Sequence, residues 1–208
     1  MSLAINRDTT LRWMELFAAQ MEQHREELIR LDTAIGDGDH GTNMNRGMQK
    51  AIEKLGASDP ADPGAVLKTV AMTLISSVGG AAGPLYGTLF LQLGTALAGQ
   101  ADVDLPAYVA AWRKAVEGVQ SRGKAQADDK TMVDALLPAL AALEQASELD
   151  AGLRAAADAA KQGMLATVPL IARKGRASYL GERSSGHQDP GSTSTYYLFE
   201  SACEAFTS

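Results

Sequence analysis

Apolar residues recur at intervals of three and four through most of the chain, which is the spacing of one face of an α-helix. In the first such segment, Leu11, Met14, Phe17 and Met21 share a face that continues to Leu31. Eight segments show this pattern, and they cover approximately residues 11–31, 42–56, 63–79, 84–99, 106–119, 129–146, 150–172 and 192–206. No stretch alternates apolar and polar residues as a half-buried strand does. The pattern therefore predicts an all-α fold.

Capping residues and helix breakers separate these segments. Asp62-Pro63 places an aspartate before a proline, an arrangement favoured at the first turn of a helix. Pro138 falls inside the sixth segment and Val168-Pro169 inside the seventh, so we expect each proline to kink or interrupt its helix. The sequence has no internal repeat and no low-complexity linker. We therefore predict a single domain over residues 1–208.

One long segment, residues 173–192, has no helical spacing and is rich in Gly, Ser, Arg and Asp. Loops longer than ~12–15 residues are uncommon inside compact domains and are usually functional or disordered. Because this one also contains Tyr179, Leu180 and several charged residues, we favour an ordered binding loop over disorder.

The composition excludes several classes of function. The chain is 46% hydrophobic and 21% charged, as expected of a soluble globular protein. Its net charge of −6 argues against a general nucleic-acid binder, which needs a basic face. Cys203 is the sole cysteine, which excludes an internal disulfide and fits a reducing compartment. No apolar run approaches the ~20 residues of a membrane span and no signal-peptide pattern is present, so we expect a cytoplasmic protein without membrane contact.

The stretch LDTAIGDGDHGTN, residues 31–43, concentrates three aspartates and three glycines. Two carboxylates ~4 Å apart repel by about 4 kcal/mol at an effective dielectric constant of 20, so a bound cation would relieve the crowding. Asp32, Asp37 and Asp39 with no soft ligand beside them favour Mg²⁺. In the alternative interpretation, the aspartates are surface residues and turn formers, and Asn43 caps the next helix.

Two glycine-rich stretches match known nucleotide motifs only superficially. Residues 36–41 fit G-x-G-x-x-G, and residues 118–125 nearly fit a P-loop, but each follows a helix instead of the required strand. A calcium EF-hand and a zinc site also lack their ligand spacing. Ser184, His187 and Asp189 are too close in sequence for a hydrolase triad, which is assembled from distant segments.

Two predicted helix starts are suited to phosphate groups. The second helix begins directly after the acidic turn, at about Thr42, where free amides and glycines allow a phosphate oxygen to approach the backbone. SSVGGAAGPLYG, residues 76–87, places a second small-residue turn before a helix, which is the composition of an anion-binding nest or of close helix packing. Together with the carboxylates and Arg176 of the long loop, these turns indicate a magnesium–nucleotide site without a P-loop.

Four motifs resemble the nucleotide-binding L subunit of dihydroxyacetone kinases. They are GDGDHGTNM with an aspartate four residues before it, SSVGGAAGPLYGT, DKTMVDALLPA and GRASYLGERSSGHQDPGS, and they extend from residue 32 to residue 192. The resemblance implies an antiparallel barrel or bundle of eight helices with the nucleotide site at one end. This number agrees with the eight helical segments.

The resemblance also implies roles for individual residues. Asp32, Asp37 and Asp39 would bind a pair of Mg²⁺ ions bridging the phosphates of ADP or ATP. The implied nucleotide contacts are His40, Gly41, Thr42 and Asn43 at the second helix start, Ala81 and Ala82 in the second turn, Gly123 and Met132 beside adenine, and Arg176, Asp189, Pro190 and Gly191, which close the pocket. Serine often stands at the position of Ala82, so a hydroxyl contact is in question there. No catalytic side chain is implied, and the role of His187 stays open.

The activity implied by the resemblance is phosphoryl transfer. In this family a separate K subunit holds dihydroxyacetone covalently on a histidine, and the L subunit presents the γ-phosphate. In one branch ADP stays bound and is rephosphorylated in place by a phosphohistidine subunit of the sugar phosphotransferase system, whereas in another ATP exchanges freely. Because the chain carries no K domain, it resembles the first branch, and we expect a phosphotransferase subunit that holds Mg-ADP.

Two alternatives to this function stay open. The chain could be the L subunit of an ATP-dependent triose or polyol kinase, or a non-catalytic module that binds Mg-nucleotide to regulate another protein. The sequence also leaves the oligomeric state open, with a homodimer as one option.

Overall fold

The computed structural model describes residues 4–207, and residues 1–3 and 208, the two ends of the predicted domain, lie outside the described residues. Within this range the chain forms helices α1 (Arg7–Gln23), α2 (Arg25–Ile35), α3 (His40–Gly56), α4 (Pro63–Ser77), α5 (Ala82–Ala96), α6 (Leu105–Gly123), α7 (Val133–Gln145), α8 (Leu149–Ala166) and α9 (Pro190–Thr207). A 3₁₀ segment spans Arg176–Ser184. Strands β1 (Ile5–Asn6) and β2 (Asp102–Val103) pair antiparallel, Ile5 opposite Val103. The prediction of an all-α fold is confirmed.

Eight of the helices form a closed ring. Each helix from α3 to α9 packs against the next one along the chain, α9 packs against α1, and α1 packs against α3. The shorter connections make neighbours from α3 to α8 antiparallel. The longer segment of residues 167–189 also returns the chain to the end of α8, since the Asp189 amide donates to the Thr167 hydroxyl, so α9 is antiparallel to α8. The closing pair is antiparallel too, since Trp13 contacts Phe206 while Gln20 donates a hydrogen bond to Glu200. The remaining helix, α2, crosses one end of the ring and packs against α3, α9 and the 3₁₀ segment.

The interior of the ring contains a cluster of aromatic side chains. The Trp13 ring lies 6.2 Å from those of Phe90 and Trp112 and 5.5 Å from that of Phe206. Trp112 also stacks on Phe199 at 4.4 Å. The indole N–H of Trp13 donates to the Leu198 carbonyl, so this buried polar group is satisfied. The core therefore ties α1, α5, α6 and α9 together across the ring.

The first predicted helix is interrupted, giving α1 and α2. The interruption lies at His24, whose backbone has φ −97° and ψ 11°. The His24 ring stacks on Tyr197 of α9 at 4.2 Å, and the Tyr197 hydroxyl donates to Glu27. Because these contacts come from the far end of the sequence, local spacing did not reveal the break.

Two other predicted helices differ at their ends. The sixth begins at Val133 instead of residue 129, because Asp128 and Lys130 have φ of 66° and 61°, outside the α region. Pro138 lies inside this helix without ending it. The seventh ends at Ala166, before Val168-Pro169, as the proline led us to expect. None of the helices in residues 4–207 is long and apolar enough to cross a membrane.

Candidate metal and nucleotide site

A cavity of about 400 Å³ opens at one end of the ring, where α2 meets α3, α4 meets α5, α6 meets α7 and the chain enters α9. Twelve of the fifteen predicted site residues line it: Asp32, Asp37, Asp39, His40, Ala81, Ala82, Gly123, Met132, Arg176, Asp189, Pro190 and Gly191. The other three, Gly41, Thr42 and Asn43, lie in the first turn of α3 outside the lining. Residues separated by more than 150 positions are thus brought to one place.

The acidic turn brings its three carboxylates together. One oxygen from each of Asp32, Asp37 and Asp39 lies within 4.8 Å of the others. Asp32 also accepts backbone hydrogen bonds from Asp39, at 2.8 Å, and from His40, at 3.1 Å. Its carboxylate therefore holds the turn against α2 by accepting hydrogen bonds from the amides at the start of α3.

The glycines of this turn are required by its geometry. A Cβ atom on Gly36 would lie 2.2 Å from a carboxylate oxygen of Asp32. Gly38 has φ +75°, in the left-handed region, and a Cβ there would lie 2.6 Å from the Thr33 hydroxyl. A larger residue at Gly36 would displace the Asp32 carboxylate, and one at Gly38 would strain the turn between Asp37 and Asp39.

This arrangement fits a magnesium ion by its chemistry. Mg²⁺ prefers oxygen ligands and is usually held by one or two carboxylates together with waters and substrate phosphates. Asp37 and Asp39 are exposed and Asp32 is half-buried, which leaves solvent-facing positions for phosphate oxygens. A divalent cation would also offset the repulsion among the three negative charges.

Arg176 reaches the acidic turn from the 3₁₀ segment. Its guanidinium lies 3.1 Å from a carboxylate oxygen of Asp37, and its side chain is 66% exposed. Exposed ion pairs of this kind contribute about 0–1 kcal/mol, so the contact can open and close easily. The long segment is ordered, as predicted, and this pair brings it across the cavity.

His40 is held by side chains that the sequence did not reveal. Its Nε2 lies 2.9 Å from the Ser194 hydroxyl, which in turn lies 2.7 Å from the hydroxyl of Tyr86. Burial lowers the pKa of His40 to about 4, although the charge of Asp32 opposes this shift. Burial also raises the pKa of Tyr86 to about 12. The imidazole is therefore neutral at pH 7, and Ser194 from α9 and Tyr86 from α5 fix its orientation.

The second glycine-rich turn offers backbone amides to the cavity. The amides of Ala82 and Gly83, in the first turn of α5, have no intrahelical acceptor, and Ala81 makes no side-chain capping bond to them. Gly80 has φ +65°, and a Cβ on Gly83 would lie 2.2 Å from the Val78 carbonyl. Ala82 has no hydroxyl, so a phosphate contact at this position would use the backbone.

Part of the cavity lining is apolar, and we call it the apolar wall. Leu85, Val119 and Met132 line it beside Gly123, and Met132 is buried. A Cβ on Gly123 would lie 3.3 Å from the Leu85 side chain, so a larger residue would crowd this wall. Flat apolar surface next to a polar end is suited to a heterocyclic base with phosphates attached.

Asp189 directly precedes α9, which begins at Pro190, so the predicted loop of residues 173–192 ends at Asp189 and its last three residues belong to the helix. Its carboxylate accepts from the Ser192 amide at 2.6 Å, and its own amide donates to the Thr167 hydroxyl at 3.0 Å. Pro190 and Gly191 are the first residues of the helix. Burial raises the pKa of Asp189 to about 7, and the Ser192 amide and the charge of Lys130 oppose the shift.

Of the three residues outside the lining, Gly41 and Asn43 have other partners. A Cβ on Gly41 would lie 2.3 Å from the Arg25 carbonyl, so Gly41 allows α3 to pack closely on α2. Asn43 is buried and accepts a hydrogen bond from Arg46 at 2.6 Å. Thr42 is exposed. His187, whose role was open, presents its backbone carbonyl to the ammonium group of Lys130.

Comparison with known proteins identifies relatives over nearly the whole chain. The model of the DAK2 domain family matches residues 34–204. The ADP-binding subunit DhaL of the PEP-dependent dihydroxyacetone kinase of Escherichia coli K12 is 43% identical over 202 residues, covering 95% of this chain and 96% of that protein. The ADP-binding subunit DhaL of the PTS-dependent dihydroxyacetone kinase of Lactococcus lactis is 43% identical over 197 residues, with the same coverage.

A solved structure has the same fold. The dihydroxyacetone kinase of C. freundii, in complex with AMP-PNP and Mg²⁺, matches this chain with a TM-score of 0.71 at 26% sequence identity. The match covers 95% of this chain but 34% of the C. freundii chain, so the chain spans about a third of that enzyme.

Proposed function

Because this chain belongs to the DAK2 domain family, we propose that it is the ADP-binding subunit of a PEP-dependent dihydroxyacetone kinase, a phosphotransferase of the PTS-linked type. One observation carries the proposal: the chain matches two such subunits over 95% of its own length and 96% of theirs. The cavity supports it, since both the carboxylate cluster and a group of apolar residues line it. We take residues 1–208 as one nucleotide-binding domain, acting in the cytoplasm.

In the proposed site, Asp32, Asp37 and Asp39 hold two Mg²⁺ ions. Bound there, the ions would neutralise the phosphate charges, which is the main requirement of a loose phosphoryl-transfer transition state. Asp32 has a second task, because its hydrogen bonds to the Asp39 and His40 amides keep the turn in shape. The protein thus positions the phosphates before the transfer step, and no side chain needs to form a covalent bond to the phosphoryl group.

The remaining predicted residues hold the nucleotide from its other sides. The first amides of α5 face the phosphates beside Ala81 and Ala82, and neutral His40 is aimed by Ser194. Met132 and Gly123 flank the base. Arg176 closes over the phosphate end. In this role its guanidinium leaves the ion pair with Asp37 and pairs with a phosphate oxygen instead.

The proposed partners act at the cavity mouth in turn. A phosphohistidine subunit of the phosphotransferase system donates its phosphoryl group to bound ADP, which becomes ATP. A K subunit carrying dihydroxyacetone then receives the γ-phosphoryl group, which regenerates ADP in place. Both exchanges need the phosphate end to be reachable, and the two exposed aspartates lie at that end.

The test begins with the nucleotide that the purified protein carries. Mass spectrometry of the released nucleotide is expected to identify ADP, and labelled ATP is expected to exchange with it slowly. Adding a phosphohistidine donor and a K subunit is expected to convert dihydroxyacetone to its phosphate. Rapid exchange with ATP would favour the ATP-dependent branch, and binding without any transfer would favour a regulatory module. A folded protein that binds no adenine nucleotide with Mg²⁺ would overturn the proposal.

A further inference from the structure

Lys130 lies in an unusual environment for a charged side chain. It is 1% exposed, and four backbone carbonyl oxygens lie within hydrogen-bond distance of its ammonium group, which shares its three N–H bonds among them. The acceptors are Thr167 at 2.9 Å, Val168 at 3.3 Å, Leu170 at 3.0 Å and His187 at 2.5 Å. Among residues 4–207 no carboxylate forms an ion pair with it. Backbone carbonyl oxygens surround a monovalent cation in the same way in potassium-channel filters. Here the cation is the ammonium group of a side chain.

The backbone that carries this ammonium is strained. Lys124, Asp128 and Lys130 have φ of 47°, 66° and 61°, in the left-handed region that side chains other than glycine rarely adopt. Such conformations persist when the surroundings over-determine them. The Asp134 carboxylate does so in part, because it accepts from the amides of Asp128 and Thr131 at 2.6 and 2.7 Å. The turn at 124–132 leads directly into Met132 of the apolar wall.

The four carbonyls belong to the two ends of the segment that closes the cavity. Three of them come from the exit of α8 and the fourth from the residue two before Asp189. The two ends are joined to each other as well, since the Gly186 amide donates to Val168 and the Ser185 hydroxyl donates to Pro169. Arg176 lies on the chain between them.

We propose that Lys130 is a positioning residue. Its ammonium group holds the two ends of the closing segment, residues 167–189, against the turn at 124–132, and this contact slows the dissociation of the bound nucleotide. This inference rests on the proposed function, because it assumes that the cavity holds a nucleotide. One charge then fixes two walls at once: Met132 on the turn, and Arg176 and Asp189 on or beside the segment. A neutral side chain would leave four buried carbonyls with fewer donors, so the segment would separate from the turn more often.

The test measures how fast a fluorescent ADP analogue leaves the protein in the presence of Mg²⁺. In Lys130→Ala we expect dissociation to be faster by about tenfold or more, the ratio that corresponds to the loss of a charged hydrogen-bond network. Adding ethylammonium, which can enter the vacated ring of carbonyls, is expected to restore slow release. Tetraethylammonium at the same ionic strength is too large to enter and is expected to have no effect.

Lys124→Ala is the matched control. Lys124 is an exposed lysine of the same turn with the same left-handed backbone, and no carbonyl ring surrounds it. We expect the dissociation rate of this variant to stay within a factor of two or so of the unaltered rate, because an exposed side chain away from such features contributes little. Ethylammonium is expected to leave this variant unchanged.

A second readout tests the lock without nucleotide. Hydrogen exchange at the Arg173 and Gly186 amides, which donate to Asp129 and Val168, is expected to be faster in Lys130→Ala and to slow again with ethylammonium. If Lys130→Ala does not fold, Lys130→Gln, which keeps two donors without charge, is expected to show faster release than the unaltered protein.

The outcomes separate the two proposals. Nucleotide binding by the unaltered protein with an unchanged release rate in the Lys130 variants would overturn this inference alone. Faster release that ethylammonium does not correct would also overturn it, by showing a general loss of structure. Failure of the unaltered protein to bind nucleotide would overturn the proposed function, and this inference with it.

Discussion

Asp189, which is buried, and His40, which is half-buried, line one cavity, and desolvation shifts their pKa values in opposite directions relative to ordinary values. Burial raises the pKa of Asp189 from 3.8 to about 7 and lowers that of His40 from 6.5 to about 4. At neutral pH the imidazole is uncharged while the carboxyl is near its midpoint. Both groups gain from being uncharged in an environment of low dielectric constant.

The two groups should make opposite contributions to the pH dependence of stability. The contribution of Asp189 is fully present below about pH 4 and is lost as the pH rises to about 7, because over this range the folded chain holds a proton that the unfolded chain has released. For His40 the unfolded chain holds the extra proton between about pH 4 and 6.5, so its contribution grows with pH. The slopes therefore oppose each other over most of this range.

Asp189→Asn should separate these contributions. The substitution removes the pH dependence that Asp189 contributes. The free energy of unfolding of the variant, minus that of the unaltered protein, is therefore expected to increase by up to about 1.4 kcal/mol per pH unit between pH 4 and 7. Above pH 7 the difference should be constant. Urea unfolding of nucleotide-free protein in EDTA at several pH values measures it. Curves that stay parallel through this range would contradict the prediction.

At the scale of the helices, the site depends on how closely α3 approaches α2. Gly41, in the first turn of α3, lies against the backbone of α2, where a Cβ would be 2.3 Å from the Arg25 carbonyl and 3.0 Å from the Ile29 amide. Asp32 lies further along the same α2, and its carboxylate accepts from the amides of Asp39 and His40. The contact between the two helices therefore sets the distance between the carboxylates.

Gly41→Ala tests this close approach. The added methyl group meets backbone that cannot rotate away, so we expect a loss of about 1–3 kcal/mol in the free energy of unfolding, as for other overpacked sites. Weaker binding of Mg-ADP should accompany it. Gly56→Ala is the control at the other end of α3, where a Cβ would have no atom within 4 Å. This control is expected to be neutral or stabilising by up to about 1 kcal/mol. Equal effects of the two substitutions would contradict the prediction.

Much of the arrangement of helices was predictable from the sequence, because burying one face of a helix imposes a spacing that the sequence records. The break at His24 was not predictable, since it depends on Tyr197, which lies 173 positions away. The late start of α7 was hidden because Asp128 and Lys130 look like ordinary polar residues of a helix. The two-residue strands are too short to show any alternation.

The candidate site divides in the same way. The carboxylate cluster could be predicted because its three aspartates lie within eight positions of one another. The carbonyl ring of Lys130 and the Ser194–Tyr86 support of His40 could not, because their partners come from other helices. Backbone carbonyls are especially hard to foresee, since every residue has one and the sequence does not show where it points.

At the scale of the whole molecule, the proposed ligand joins four helix junctions that are otherwise separate elements of the ring. A ligand that binds only the folded state stabilises it by an amount that grows with its concentration, about 2.7 kcal/mol at a hundred times its Kd. The proposed Mg-ADP should therefore act on global unfolding and not only on the cavity.

Thermal unfolding checks this expectation. Mg-ADP at a hundred times its Kd should raise the Tm by about 5–10 °C for a chain of this size, and EDTA should remove most of the increase. Asp37→Asn should abolish the increase while leaving the Tm of the nucleotide-free protein nearly unchanged. Asp59→Asn, at an aspartate whose side chain is 93% exposed and paired with Arg7, should keep the full increase. An equal increase in all three proteins would contradict the role given to Asp37.

The antiparallel closure of the ring by α1 and α9 also decides where a label can be attached. Residues 7 and 207 both lie at the end of the ring opposite the cavity, because α1 begins and α9 ends there. At 1.5 Å per residue, α9 places this end about 25 Å from the cavity mouth. An affinity tag, a fluorophore or a surface anchor attached at residue 7 or 207 would leave the mouth free. Immobilised protein should therefore still accept large partners at its phosphate end.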